Sequence, residues 1–189
     1  MIDQPVFEPP VQRILLEDIK GEGLILDIGG GGEGLVARLA GSRVCAVDVN
    51  IDKIREARIY HEYANWFNCD GASLCFKDAS FDVATLWFSL GYMRTWRMKE
   101  RVLQEVYRVL KDGARLSIWA CRIDCEEQGL LLRTDIVFPD GTLSRFGFGV
   151  AGQQNQTPDT VMRILDSTGF SIESAREEEY VFYFDCRKE

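Results

Sequence analysis

Short, unbroken apolar runs along the chain alternate with longer segments whose apolar residues recur every three or four positions. "LILDIG" (24–29) is the first such run. It leads into glycines and reads as a strand covered on both faces, which has no polar side to show. "GEGLVARLAG" then starts a helix that Gly41 stops. "SRVCAVDVN" (42–50) predicts a second strand ending in Asp48, and "IDKIREARIYHEYA" (51–64) a charged amphipathic helix. "WFNCD" (66–70) reads as a short third strand, "GASLCFKDAS" as a loop, and "FDVATLWFS" (81–89) as a fourth strand. "KERVLQEVYRVL" (99–110) sets Val102, Val106, Val109 and Leu110 on one helical face. "KDGARLSIWAC" turns at Gly113 into a fifth strand. Ahead of all this, residues 1–10 form a polar, proline-bearing arm, and Val11, Ile14, Leu15 and Ile19 in "VQRILLEDIK" fall at helical spacing.

Strands alternating with helices imply parallel strands joined by right-handed crossovers. The last third departs from that rhythm. "LLLRTDIVF" and "LSRFGFGV" flank "PDGT" (139–142), whose Pro-Asp-Gly composition predicts a β-hairpin. A helix follows from Pro158 to Thr168, stopped by Gly169, and then two closing strands, "SIESA" and "YVFYFDCR".

Composition narrows the function classes. The 189 residues suit one domain, and 46% hydrophobic content supports a real core. A net charge of −8 argues against electrostatic binding of nucleic acid, which needs a basic footprint. No apolar run approaches a membrane span and the N-terminus does not resemble a signal peptide, so a cytoplasmic protein is expected, with no membrane partner. The six cysteines include no C-x-x-C pair and need no partners in a reducing compartment, and no metal site is expected.

The candidate chemistry lies at the strand ends, where open parallel sheets bind ligands. Four consecutive glycines, Gly29 to Gly32, precede Glu33 and Gly34. Read as Gly29-x-Gly31-x-x-Gly34 the loop matches a dinucleotide fingerprint; read as Asp27-x-Gly29-x-Gly31 it matches the loop that holds S-adenosylmethionine (SAM). Asp48 suits a ribose in either case, since a carboxylate accepts two hydroxyl hydrogen bonds. Asp27 and Asp70 separate the two. A buried carboxylate beside a pyrophosphate is unfavourable, whereas one beside an ammonium group is paired. Asp70, ending the third strand, can accept from an exocyclic adenine amine.

"LDIGGGGEG", "VCAVDVN", "DGASLCFKDASFDVA" and "QEVYRVLKDGARLSI" occur in that order over residues 24–118. Together they resemble the class I SAM-dependent methyltransferases, of the small Methyltransf-11-like kind. The departures are a longer glycine loop, Gly71 for Ala, Cys75 for Pro and "KDGA" for "KPGG". The resemblance implies an α/β, Rossmann-like, doubly wound, mostly parallel seven-stranded sheet with an antiparallel closing strand. One domain would span residues 1–189, with 122–157 inserted after the fifth strand as a hairpin. It implies SAM as cofactor and S-adenosylhomocysteine (SAH) as product. Gly29, Gly30 and Gly31 would face the methionine part with Asp27 assisting. Asp48, with Val49 beside it, would hold the ribose, and Asp70 and Gly71 would read the adenine. Trp87 and Phe88 would line the pocket. Phe76, Asp78, Phe81 and Asp82 match the family's next block and are expected to shape the loop and the fourth strand.

No general base stands out: His61, the single histidine, sits on a charged helix. Tyr92, Arg94 and Trp96 are the candidates for contact with a small-molecule methyl acceptor. The basic cluster Arg94, Arg97, Lys99 and Arg101 reads as the solvated start of a helix. The expected reaction is methyl transfer from SAM. The alternatives are a non-catalytic SAM-binding partner or regulatory protein and, disfavoured by Asp27 and Asp70, a nicotinamide-dependent oxidoreductase. The hairpin, rich in phenylalanine and glycine, is expected to pack over the carboxyl edge of the sheet and lid the acceptor pocket, with Tyr92 and Trp96 opposite.

Overall fold

The computed structural model describes residues 5–189; the first four residues of the proline-bearing arm lie outside the described part. In chain order the elements are β1 (Val6–Phe7), β2 (Gln12–Leu15), β3 (Ile25–Ile28), α1 (Leu35–Ala40), β4 (Val44–Asp48), α2 (Ile51–Tyr60), β5 (Asn65–Asn68) and β6 (Phe81–Trp87). There follow α3 (Trp96–Val109), β7 (Leu110–Cys121), β8 (Gly129–Val137), β9 (Leu143–Ala151), α4 (Pro158–Thr168), β10 (Phe170–Glu177) and β11 (Val181–Lys188).

Seven strands form the main sheet in the order β10-β11-β7-β6-β3-β4-β5. From β5 to β7 the neighbours pair in parallel, while β11 runs antiparallel to both β7 and β10. The chain steps one way from β3 to β4 to β5 and the other way from β6 to β7. Right-handed crossovers therefore put α1 and α2 on one face and α3 on the other, and the order reverses between β3 and β6. All four residues of β3 are buried, as a doubly covered central strand requires.

The two faces of β7 and β11 are read by alternation. Leu116, Ile118 and Ala120 with Phe182, Phe184 and Cys186 pack with Val102 and Val106 of α3 and with Ile164 and Leu165 of α4. Trp119, Cys121, Val181 and Tyr183 point the other way, and a second sheet covers them. In that sheet β9 pairs with β8 along its whole length, so β1 and β2 share the remaining edge of β8, both parallel to it. Its inward residues include Ile14, Leu130, Leu132, Ile136, Phe148 and Val150. Arg38 of α1 stacks on Phe138 at 3.7 Å and also donates to Thr142, tying the hairpin turn to the first helix.

The helix expected over 11–20 is not formed. Ile14 and Leu16 are buried while Val11 and Leu15 are exposed, a period of two, and residues 12–15 pair with β8. Apolar residues at 11, 14, 15 and 19 satisfied the helical spacing, but β8 offers backbone partners and an apolar surface that only alternation can use. The turn at Gly113 lies within β7. Leu110 pairs with Phe81 and Arg115 with Val83, so the residues between form a bulge, with Gly113 at φ +71°. α3 starts at Trp96 because the Thr95 side chain accepts from the Met98 N–H at 3.2 Å. Among the described residues no helix is long and apolar enough to cross a membrane.

Candidate functional site

The glycine loop folds back over β4: the N–H groups of Gly29 and Gly30 both donate to the Val47 carbonyl, at 2.8 and 3.2 Å. Its bareness has identifiable causes. A Cβ on Gly29 would lie 2.6 Å from Ser89 Cβ, one on Gly30 2.3 Å from Asp27 Oδ2, and one on Gly31 2.7 Å from Asp48 Oδ2. The loop is thus packed against two carboxylates and the end of β6, which no larger residue permits. Gly34, at φ +60°, ends the loop, and the helix it opens is only six residues long. The expected contribution of that helix's N-terminus is accordingly small, and the loop backbone itself faces the site.

The three acids stand in different environments. Asp48 Oδ2 accepts from Gly31 N–H at 3.2 Å and Oδ1 from Asn50 N–H at 2.8 Å, while Asn50 caps α2 by accepting from Asp52 N–H at 2.9 Å. Asp48 is therefore free of the helix-capping role, and each oxygen keeps a lone pair for a ligand. Asp70 lies in the loop two residues beyond the end of β5; its Oδ1 accepts from Ala72 N–H at 2.9 Å in a local turn. Asp27 is 3% exposed, and its Oδ1 accepts from Thr85 Oγ1 at 2.6 Å. Burial pushes its carboxyl up to about 7; the Thr85 hydrogen bond opposes this and nearby Asp48 reinforces it.

One cavity of about 470 Å³ connects these groups at the carboxyl ends of β3, β4 and β6, on the reversal point of the strand order. Its lining includes Asp27, Gly29, Gly30, Gly31, Asp48, Val49, Asp70, Gly71, Trp87, Phe88 and Tyr92. Arg94 and Trp96 are not in its wall: Arg94 is exposed and the Trp96 ring lies 4.7 Å from Lys99 Nζ. Lys99 also departs from expectation. It is 1% exposed and donates to Gln156 Oε1 at 2.6 Å and Gln154 Oε1 at 3.0 Å. Burial lowers its ammonium to about 8. His61 lies outside the wall, with Nε2 3.2 Å from the Glu33 carbonyl and burial lowering its ring. Asp78 and Asp82 pair with Arg108 and Lys111, each at 2.6 Å, and Phe76 sits edge-on between Phe67 and Phe81. That block therefore shapes the loop and β6.

The hairpin brings Phe146, Gly147 and Phe148 to the cavity wall, beside Tyr92, whose ring centroid lies 6.4 Å from that of Phe148. Met93, Met98 and Ser89 also line the wall and escaped the sequence reading. Ser89 lies two residues past the end of β6, and nothing in "FSLGY" marks it as a lining residue. The lining suits a zwitterionic nucleoside ligand such as SAM: an exposed loop backbone, a carboxylate with free lone pairs for a diol, a second acid near a glycine, and the apolar Val49 beside them.

Residues 26–118 match the family model described as a methyltransferase domain. A stretch of 66 residues is 39% identical to the ubiquinone/menaquinone biosynthesis C-methyltransferase UbiE of a Ruegeria species, covering 35% of this chain and 25% of that protein. A stretch of 79 residues is 34% identical to a demethylmenaquinone methyltransferase of Streptomyces griseus, covering 42% of this chain and 33% of that one. The chain thus matches a quarter to a third of the length of these curated relatives. A SAM-dependent methyltransferase structure from Methanosarcina mazei superimposes with a TM-score of 0.70 at 23% identity, over 90% of this chain and 94% of that one. The match carries the glycine loop, Asp48, Asp70 and all of α3, so residues 26–118 are similar to a methyltransferase domain, and the chain shares its fold with a SAM-dependent methyltransferase.

Proposed function

We propose that this protein transfers a methyl group from SAM to a small-molecule acceptor in the cytoplasm, releasing SAH. The observation that carries this reading is the convergence of the glycine loop, Asp48 and Asp70 on one cavity that also opens beneath the hairpin. SAM, when bound, supplies a methyl group already activated on a sulfonium. The task left to the chain is to bind, orient and exclude water. Asp48 accepts the ribose hydroxyls, Asp70 and Gly71 meet the adenine edge with Val49 alongside, and the Gly29–Gly31 backbone with Asp27 takes the methionine end. Trp87, Phe88, Tyr92 and the hairpin phenylalanines form the dry wall on the acceptor side. Mass spectrometry of the denatured purified protein tests this directly: co-purified SAM or SAH supports it, and tightly held NAD refutes it.

The absence of histidine or of an uncommitted acid from that aromatic wall favours a second reading, a SAM-binding regulatory partner without turnover. Incubation with methyl-labelled SAM and small-molecule extracts separates the two. Label transfer into a product establishes the enzyme, and saturable SAM binding without transfer supports the partner.

A further inference from the structure

Two cysteines bracket the loop that carries Asp70 and Gly71. Cys69 follows β5 directly, is partly buried and lines the cavity; Cys75 is exposed and lies outside the cavity wall. The chain reverses between them, with Ser73 N–H donating to the Asp70 carbonyl at 2.9 Å and Ala72 N–H to Asp70 Oδ1 at 2.9 Å. The reversal lets the Cys69 thiol donate to the Asp70 and Ser73 carbonyls, at 3.7 and 3.6 Å. It also sets that thiol against the Cys75 thiol and the Cys75 backbone N–H.

Both cysteines are anchored from outside the loop. Cys69 N–H donates to the Asp48 carbonyl at 3.2 Å. Leu74 N–H donates to Glu105 Oε2 at 2.8 Å, and Arg108 donates to the Leu74 and Phe76 carbonyls at 3.2 and 2.9 Å. The residues on either side of Cys75 are thereby tied to α3, and residues 70–73 are the part that adjusts when the two sulfurs move. The thiols also differ in reactivity. Burial raises the Cys69 thiol above its ordinary value, which keeps it protonated and donating at neutral pH. Cys75 is open to solvent, where an external oxidant reaches it first.

We infer that Cys69 and Cys75 form a reversible disulfide that loosens the Asp70 loop and weakens the hold on the adenine end of the cofactor. The oxidant is a low-molecular-weight disulfide. The Cys75 thiolate attacks one of its sulfurs and expels a thiolate. The Cys69 sulfur, giving its proton to solvent, then attacks the Cys75 sulfur and expels the second thiolate. Two protein thiols become one protein disulfide, and two electrons and two protons convert the external disulfide to two thiols. In the product Cys69 has no proton to donate, so the Asp70 and Ser73 carbonyls lose that partner. A disulfide closing so short and exposed a loop is readily reduced, as a redox sensor in a reducing compartment requires. The coupling to the cofactor rests on the reading that Asp70 and Gly71 meet the adenine; the disulfide does not depend on it. The coupling is reciprocal, so bound SAH opposes oxidation by the factor by which oxidation weakens SAH.

The test equilibrates the full chain in glutathione buffers of graded oxidised-to-reduced ratio, with and without SAH, then quenches, alkylates and digests it with trypsin. Cys69 and Cys75 fall together in the peptide 59–77, which holds no other cysteine. In oxidised samples that peptide is expected unalkylated and lighter by two hydrogens than its reduced form. By calorimetry the oxidised protein is expected to bind SAH about fivefold or more weakly, with full recovery on reduction, as loss of one hydrogen bond to the adenine allows. Saturating SAH is expected to raise the oxidant ratio at the midpoint by the same factor. Cys75→Ser is expected to bind SAH like the reduced wild type and to keep that affinity through the same oxidation. A glutathione adduct on Cys75 with no internal link overturns the disulfide. An internal link that leaves SAH affinity within about twofold overturns the coupling, as does a Cys75→Ser variant that weakens on oxidation as much as wild type. A reduced wild type that binds no SAH while peptide 59–77 still cross-links removes the proposed function and the coupling, and leaves the disulfide standing.

Discussion

At the scale of single residues, two of the three acids make separable predictions. Asp48 offers a free lone pair on each oxygen and orders the loop through Gly31, while Asp52 is exposed and pairs with Arg55 at 2.9 Å. Asp48→Ala is expected to weaken SAH binding by about 2–4 kcal/mol and Asp52→Ala by less than about 0.5, measured by calorimetry. Asp27 carries a pH dependence. Its folded carboxyl titrates near 7 against an ordinary value of 3.8, so the folded chain holds that proton more tightly than the unfolded one. Its contribution to stability therefore falls as pH climbs from about 4 to about 7, by up to roughly 4 kcal/mol, and is flat above that range. Asp27→Asn is expected to melt above wild type at pH 8 and near it at pH 4. An ammonium ligand binds the ionised form, so SAH affinity is expected to drop by up to about tenfold per pH unit below 7 in wild type and to lose that slope in Asp27→Asn. The acids were legible because acids at strand ends are a motif; the burial that moves Asp27 was not, since it depends on Thr85, Ala46 and Gly30 closing around it.

At the scale of elements, the buried Lys99 ties α3 to the segment leading from β9 into α4. Gln156 accepts from Lys99 Nζ at 2.6 Å and donates to the Cys121 carbonyl at 2.7 Å, and Gln154 donates to the Gly91 carbonyl at 2.8 Å beside the cavity wall. Gln153 and Asn155, at φ +55° and +50°, turn the backbone so that the glutamines between and after them face inward. Gln156→Leu leaves a buried ammonium short of one acceptor and a carbonyl unpaired. It is expected to cost about 2–4 kcal/mol in urea unfolding. In sequence this segment, "AGQQNQT", reads as a polar loop, and Lys99 as one more charge at the start of a helix. Amide side chains and a lysine buried against each other leave no periodic trace, because the partners lie more than fifty residues apart. The hairpin itself was legible from "PDGT" and its flanking runs, yet it builds a separate sheet with β1 and β2 instead of standing as an isolated flap.

At the scale of the whole molecule, a ligand spanning β3, β4, β6 and the hairpin should stabilise the fold as a unit. At about one hundred times its dissociation constant, SAH is expected to add ~2.7 kcal/mol, or roughly 5–10 °C for a chain of this size, with NAD giving no shift in the same thermal scan. A shift with NAD and none with SAM or SAH contradicts the assignment of the site. The sequence alone pointed to the strands of the main sheet, to the parallel sense of those from β3 to β7 and to the likeness to methyltransferases, because apolar runs, glycine turns and strand-end acids are local signals that repeat in a fixed order. Tertiary structure alone decided that residues 12–15 are a strand, because their apolar pattern fits two periods and β8 supplies the edge that chooses between them. It also decided that the second sheet covers β7 and β11 and brings Phe146 and Phe148 to the cavity. Those outcomes depend on surfaces that meet only after the chain has folded, and a linear pattern does not record them.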